Sequence, residues 1–228
     1  METKKIKAVF FDLDGTLIDT EKYYNRCWPK AFAHFGHETS AKECLDVRSL
    51  GNPHILKWMQ ERFGENVKCD EIRKYARSLV NELIEKEGLH LKEGVVECLE
   101  FLKTKNVCMY IVTATAIDRT ENHITQVGIK KYFDKVISAT MVENGKPAPD
   151  VYLEAAKEAN VNPSECIAVE DSPNGAYSAI SAGMNTIMVP DLSEPDEELK
   201  KKLFAKLNSL TEFKDFILKN NIELMGKA

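Results

Sequence analysis

The sequence predicts an α/β chain built on a parallel, doubly wound sheet, with a helical subdomain inserted after the first strand. Three observations carry that expectation. Short apolar runs alternate with amphipathic stretches along most of the chain, the pattern of a parallel sheet covered on both faces. The stretch from Leu17 to about Leu91 is far too long for one crossover helix and carries apolar residues at helical spacing. Hydroxyl, amine and carboxylate side chains fall at the carboxyl ends of the apolar runs or just before them, where open α/β sheets bind ligands.

Ile6–Phe11, rich in branched and aromatic side chains, is the first expected strand. It stops at Asp12-Leu13-Asp14-Gly15-Thr16. Residues two apart on a strand share a side, so Asp12 and Asp14 can face one space beyond the sheet. Helical spacing then runs through Tyr24–Phe35, His54–Phe63 and Glu71–Glu87, punctuated by Gly36, Gly51 and Gly64. These define an insert over residues 17–91, with residues 1–16 and 92–228 forming the core. The core resumes with a helix over Val95–Lys105 and a strand over Val107–Thr113, which ends in Thr113-Ala114-Thr115. A helix over Asp118–Val127 and a strand over Lys135–Ser138 follow. The turn-rich Gly145-Lys146-Pro147-Ala148-Pro149-Asp150 leads into a helix over Asp150–Ala159. The fourth strand, Cys166–Val169, runs into Glu170-Asp171-Ser172, then a helix over Asn174–Ala182 and a last strand over Thr186–Val189. The tail is acidic, then lysine-rich, then helical around Thr211–Lys219.

Composition narrows the function classes. The 228 residues carry a net charge of −5, which argues against a nucleic-acid partner, since that usually shows a basic excess. No apolar segment is long enough for a signal peptide or a membrane span. Six cysteines without a Cys-x-x-Cys pair read as reduced thiols. A cytoplasmic monomer acting on a small molecule, away from membranes, is therefore expected.

If the first and fourth strands are neighbours, Asp12, Asp14, Glu170 and Asp171 meet in one crevice. So many like charges repel one another unless a cation joins them. Hard oxygen ligands suit magnesium rather than zinc. Lys146 supplies a positive charge, Thr113 a hydroxyl, and the backbone near Leu13 and Ala114 amide donors, a set suited to a phosphate. Anion, metal and nucleophilic carboxylate together describe phosphoryl transfer to aspartate.

The same residues, Asp12-Leu13-Asp14-Gly15-Thr16, Thr113, Lys146-Pro147-Ala148-Pro149-Asp150 and Glu170-Asp171-Ser172, resemble the four motifs of the haloacid dehalogenase-like hydrolase superfamily. The likeness covers essentially the whole chain. The insert resembles the helical cap of the branch that holds β-phosphoglucomutase and phosphoglycolate phosphatase-like enzymes. The resemblance implies a three-layer, Rossmann-like core of strand order 5-4-1-2-3. It implies Asp12 as the nucleophile that becomes an aspartyl-phosphate, and Asp14 as the acid and then the base. It implies magnesium on the Asp12 carboxylate, the Asp14 backbone carbonyl and Asp171, with Glu170 direct or through water. Thr113, Ala114 and Lys146 would grip the phosphoryl oxygens.

The expected function is a magnesium-dependent phosphatase of a small phosphorylated metabolite, a sugar phosphate or similar phosphomonoester. The alternative is a mutase of the β-phosphoglucomutase type, and a third reading is a non-catalytic binder of a phosphorylated ligand. Tyr24, Tyr75 and Ile117 stand where the mutases carry histidine, lysine and asparagine, which favours the phosphatase. Specificity should come from the cap. There Arg48, in the Val47–Asn52 loop, is expected to contact the polar end of the substrate, with Tyr24 also bordering it.

Overall fold

The computed structural model describes residues 3–227. In chain order its elements are β1 (Lys4–Ile6), β2 (Ala8–Phe11), α1 (Glu21–His34), α2 (His54–Phe63), α3 (Cys69–Glu87), α4 (Val95–Thr104) and β3 (Cys108–Thr113). They continue with α5 (Ile117–Gln126), β4 (Lys135–Ser138), α6 (Asp150–Glu158), β5 (Cys166–Glu170), α7 (Pro173–Ser181) and β6 (Asn185–Met188). The chain closes with α8 (Glu197–Lys202), β7 (Ala205–Lys206), α9 (Phe213–Lys219) and β8 (Ile222–Leu224).

One all-parallel sheet runs in the order β4-β3-β2-β5-β6-β7. Read from the other edge, the five expected strands take the order 5-4-1-2-3, with β7 added outside the fifth. The first expected strand, Ile6–Phe11, proves to be two. Lys7 leaves the ladder, its N–H donating to Glu165 O at 2.8 Å and its ammonium pairing with Glu165 at 2.7 Å. Lys4–Ile6 registers instead with Ile222–Leu224 in a separate parallel pair.

Alternate residues of β2 enter two different cores. Val9 and Phe11 pack with Leu99, Ile124 and Phe213. Ala8 and Phe10 pack with Val151, Tyr152 and Ala155 of α6. A strand covered on both faces reads as an unbroken apolar run, as this one does. Each large side chain so buried contributes about 1.5–3 kcal/mol. β3 and β5 flank β2 in register, with Phe11 opposite both Ile111 and Val169. The ends of these three strands therefore lie level, and the residues just past them share one crevice.

Between β2 and α4 the chain is helical and has its own core, where Trp28 and Phe32 meet Met59, Ile72 and Ala76. Trp28 and Phe32 lie one turn apart on α1 with ring centroids 5.6 Å apart. The chain enters and leaves this segment side by side. Lys92 N–H donates to Leu17 O at 3.0 Å and Asp19 N–H to His90 O at 2.9 Å. On its other flank, the loop after Val47 is tied to the sheet layer. Gly51 N–H donates to Lys146 O at 3.0 Å and Gly145 N–H to Asn52 O at 2.7 Å. These glycines pass back to back: a Cβ on Gly51 would lie 2.6 Å from the Gly145 Cα, so a larger residue would push the two loops apart. Among the described residues no helix is long and apolar enough to cross a membrane.

Candidate active site

Asp12 lies one residue beyond β2, where its N–H extends the ladder to Val169 O at 3.0 Å. Strand parity puts its side chain on the face of Ala8 and Phe10, toward α6. Lys146 reaches it there from the loop before α6. The Lys146 ammonium donates to Asp12 Oδ1 at 2.6 Å, Glu170 Oε1 at 2.6 Å and Val112 O at 2.9 Å. Its side chain is 0% exposed, so its three protons are all spent on protein acceptors. Tyr152, which sequence reasoning missed, donates its hydroxyl to the same Glu170 Oε1 at 2.5 Å.

These bonds hold one oxygen of each carboxylate and leave the other free. Asp12 Oδ2, Glu170 Oε2 and Asp171 Oδ1 are buried and have no hydrogen-bond partner. The three carboxylates offer ligand atoms within 4.8 Å of one another. Buried polar atoms without partners are rare, and carboxylate ligand atoms gathered this closely are the donor set of a hard divalent cation. The electrostatics agree. Burial pushes the Asp12 carboxyl well above its usual range, against the opposing Lys146 ammonium. Burial does the same to Asp171, against Arg48. A cation added here would relieve both.

Asp14 has different company. Thr20 Oγ1 donates to one of its oxygens at 2.6 Å and Thr115 Oγ1 to the other at 2.7 Å. Its carboxylate stands outside the three-membered cluster yet lines the same cavity as Asp12. Gly15, at φ +86°, turns the chain directly after Asp14. Thr113 is buried, and its Oγ1 accepts the Thr115 N–H at 3.0 Å, leaving its own proton for a ligand. Ala114 and Tyr24 also line the cavity, which measures about 340 Å³. That falls within the usual range of small-molecule sites.

Arg48, expected to meet the polar end of a substrate, is engaged by protein groups in this structure. It borders the cavity but is 4% exposed, and its guanidinium is spent on the protein. Nε donates to Glu21 Oε2 at 2.8 Å, Nη2 to Asp171 Oδ2, and Nη1 to Ser193 Oγ at 3.3 Å. Asp191 lies 3.7 Å away. A buried guanidinium among acids is drawn to the densest negative charge, because an unpaired buried carboxylate costs several kcal/mol. Sequence reasoning also missed Glu21 and Asp191. Neither falls in a motif; their only signal is acidity at a cap linker and at a loop beyond the last long strand.

Glu21 yields a testable pH dependence. Burial raises its carboxyl from 4.5 to about 7, against the pull of Arg48. A carboxyl whose folded pKa lies above its unfolded value stabilises the fold below the unfolded pKa. That contribution is lost as pH rises through the folded pKa. Between pH 5 and 8, in chelator, thermal denaturation should show the native protein losing of order 1–3 kcal/mol. Glu21→Gln should lose less over the same interval. Parallel curves for the two proteins would contradict this account of Glu21.

Comparison with known proteins places the geometry in a family. The model of the haloacid dehalogenase-like hydrolases matches residues 9–189. A phosphorylated carbohydrates phosphatase of Thermotoga maritima is 30% identical over 184 residues, 80% of this chain and 84% of that protein. Hexitol phosphatase B of Escherichia coli is 29% identical over 211 residues, 92% of this chain and 95% of that one. Among solved structures, the β-phosphoglucomutase of Clostridium difficile superposes with a TM-score of 0.77 at 26% identity. The match covers 95% of this chain and 97% of that one.

Proposed function

This chain belongs to the haloacid dehalogenase-like hydrolase family, and we propose that it is a magnesium-dependent phosphatase of a small phosphomonoester, such as a sugar phosphate. In this reading residues 17–91 are the cap and the sheet layer carries the chemistry. The observation that carries it is the Asp12 carboxylate. Lys146 holds one of its oxygens while the other, Oδ2, is buried and unpartnered, and the residue lines the cavity. An oxygen fixed in that way is a positioned nucleophile.

Asp12 Oδ2 attacks phosphorus, the bond from phosphorus to the ester oxygen breaks, and Asp14 gives that oxygen a proton. Thr20 and Thr115 orient the Asp14 carboxyl for this step. Water then attacks the aspartyl-phosphate, and Asp14 takes the water's proton as phosphate departs. The Thr113 hydroxyl and the Ala114 amide donate to the phosphoryl oxygens, where negative charge develops. The Asp12, Glu170 and Asp171 carboxylates and the Asp14 backbone carbonyl would hold magnesium, which would neutralise their charge and that of the phosphoryl group. Free thiols at all six cysteines accord with a reducing compartment such as the cytoplasm.

Hydrolysis is favoured over the mutase. Tyr75, where the mutases carry lysine, is stacked on His34 at 4.2 Å rather than on the cavity wall. Relatives named as phosphatases support the same choice. Phosphate release from a panel of sugar phosphates, with magnesium or with chelator, tests the proposal. Release that requires the metal supports it; no release from any ester would overturn it. A separate expectation concerns binding. Saturating magnesium should raise the Tm by about 5–10 °C, and Asp171→Asn should remove most of that rise. An equal rise in both proteins would put the ion elsewhere.

A further inference from the structure

Among the described residues, the cavity wall holds cations that no carboxylate pairs with. The chain has six arginines. Four are engaged: Arg26 with Glu87, Arg48 with Glu21, Arg62 with Glu43, and Arg73 with Asn52. Arg77 of α3 and Arg119 of α5 pair with no carboxylate among the described residues, and both line the cavity that contains Asp12. Arg119 Nη2 is buried without a partner, and its guanidinium carbon lies 5.7 Å from the Tyr24 ring centroid. Both arginines act on the Tyr24 phenol, opposing the burial that pushes it up to about 12. Tyr24 thus marks a point near which one cation from the cap and one from the core converge.

The acids of the same wall are accounted for. Asp14 is held by two threonines and Glu21 by Arg48. Asp118 precedes Arg119 on α5, and adjacent helical side chains do not face each other. The wall also carries the apolar side chains of Trp28, Val47, Leu50 and Ile55. Two planar cations beside apolar side chains are suited to a phosphate or a carboxylate.

We infer that Arg77 and Arg119 form a second anion subsite, so that the substrate is a phosphomonoester carrying another anionic group besides the ester that is cleaved. The inference rests on the proposed phosphatase reading and adds the substrate class. The phosphomonoester end meets Asp12, and the second group bridges cap and core, which rewards closure only for a doubly charged substrate.

Three probes share a hexose-sized frame: fructose 1,6-bisphosphate, 6-phosphogluconate and fructose 6-phosphate. Binding is measured by calorimetry on Asp12→Asn with magnesium, and kcat/KM is measured on the protein with Asp12 intact. The doubly charged probes should be preferred over fructose 6-phosphate by about thirtyfold. Preference for the bisphosphate alone assigns the subsite to phosphate; equal preference for 6-phosphogluconate assigns it to either anion. Arg77→Gln with Arg119→Gln should bring the ratio to about twofold or less. The inference falls if the three probes bind alike, or if the double variant leaves the ratio unchanged. Charge-dependent binding with no turnover of any ester would instead overturn the phosphatase reading and leave the subsite standing.

Discussion

Asp12→Asn should abolish phosphate release, lowering kcat by at least about ten-thousandfold, the scale on which an enzyme loses its nucleophile. The variant keeps the shape of the side chain and an oxygen for the Lys146 ammonium, now 2.6 Å from Asp12 Oδ1. Folding should therefore survive. Stability should even rise at neutral pH, because burial already pushes this carboxyl well above its usual range and the amide carries no charge to desolvate. The two changes in opposite directions separate chemistry from architecture. Phosphate release measured beside thermal denaturation checks both. Activity within tenfold of native would remove Asp12 from the reaction.

Lys146→Met should cost both activity and stability. Lys146 is wholly buried, and its ammonium is the bond between Asp12, Glu170 and the Val112 carbonyl. Methionine fills similar space but leaves two buried carboxylates facing each other and a carbonyl without its donor. Breaking a buried pair from one side costs about 3–5 kcal/mol. The loss should shrink in acid, where the Asp12 carboxyl, pushed well above its usual range by burial, takes a proton and its share of the repulsion ends. Turnover should fall by about a thousandfold, the cost of losing a fixed positive charge beside the transferring group. Denaturation at pH 5 and 8 and steady-state rates provide the check. A variant as stable at pH 8 as the native protein would show that the three acceptors do not depend on this lysine.

The sheet was legible because a doubly covered strand leaves no polar positions, as in Ala8–Phe11 and residues 166–169. β1, β7 and β8 escaped notice for the opposite reason. Each spans two or three residues, with polar side chains such as Lys4, Lys206 and Glu223 outside. The partners of β1 lie at the far end of the sequence, which no local pattern encodes. The site divides in the same way. Asp12, Thr113, Lys146 and Glu170-Asp171 stand at or near strand ends, and topology draws them together. Glu21, Tyr152 and Asp191 serve through contacts made across the fold, so no spacing announces them. Arg48 was conspicuous as a charge in a cap loop, but its partners Glu21 and Asp171 come from distant segments. A side chain's identity is local, whereas the charge it answers is set by tertiary structure.

The central claim is that Asp12 Oδ2 receives the phosphoryl group. Crystals soaked with beryllium fluoride and magnesium test it most directly, since the trifluoroberyllate mimics a phosphoryl group on a carboxylate. The expected density is continuous with Oδ2 of Asp12 and lies within reach of the Thr113 hydroxyl. Density joined to Asp14, Glu170 or Asp171, or none on any carboxylate under conditions that support turnover, would contradict the account.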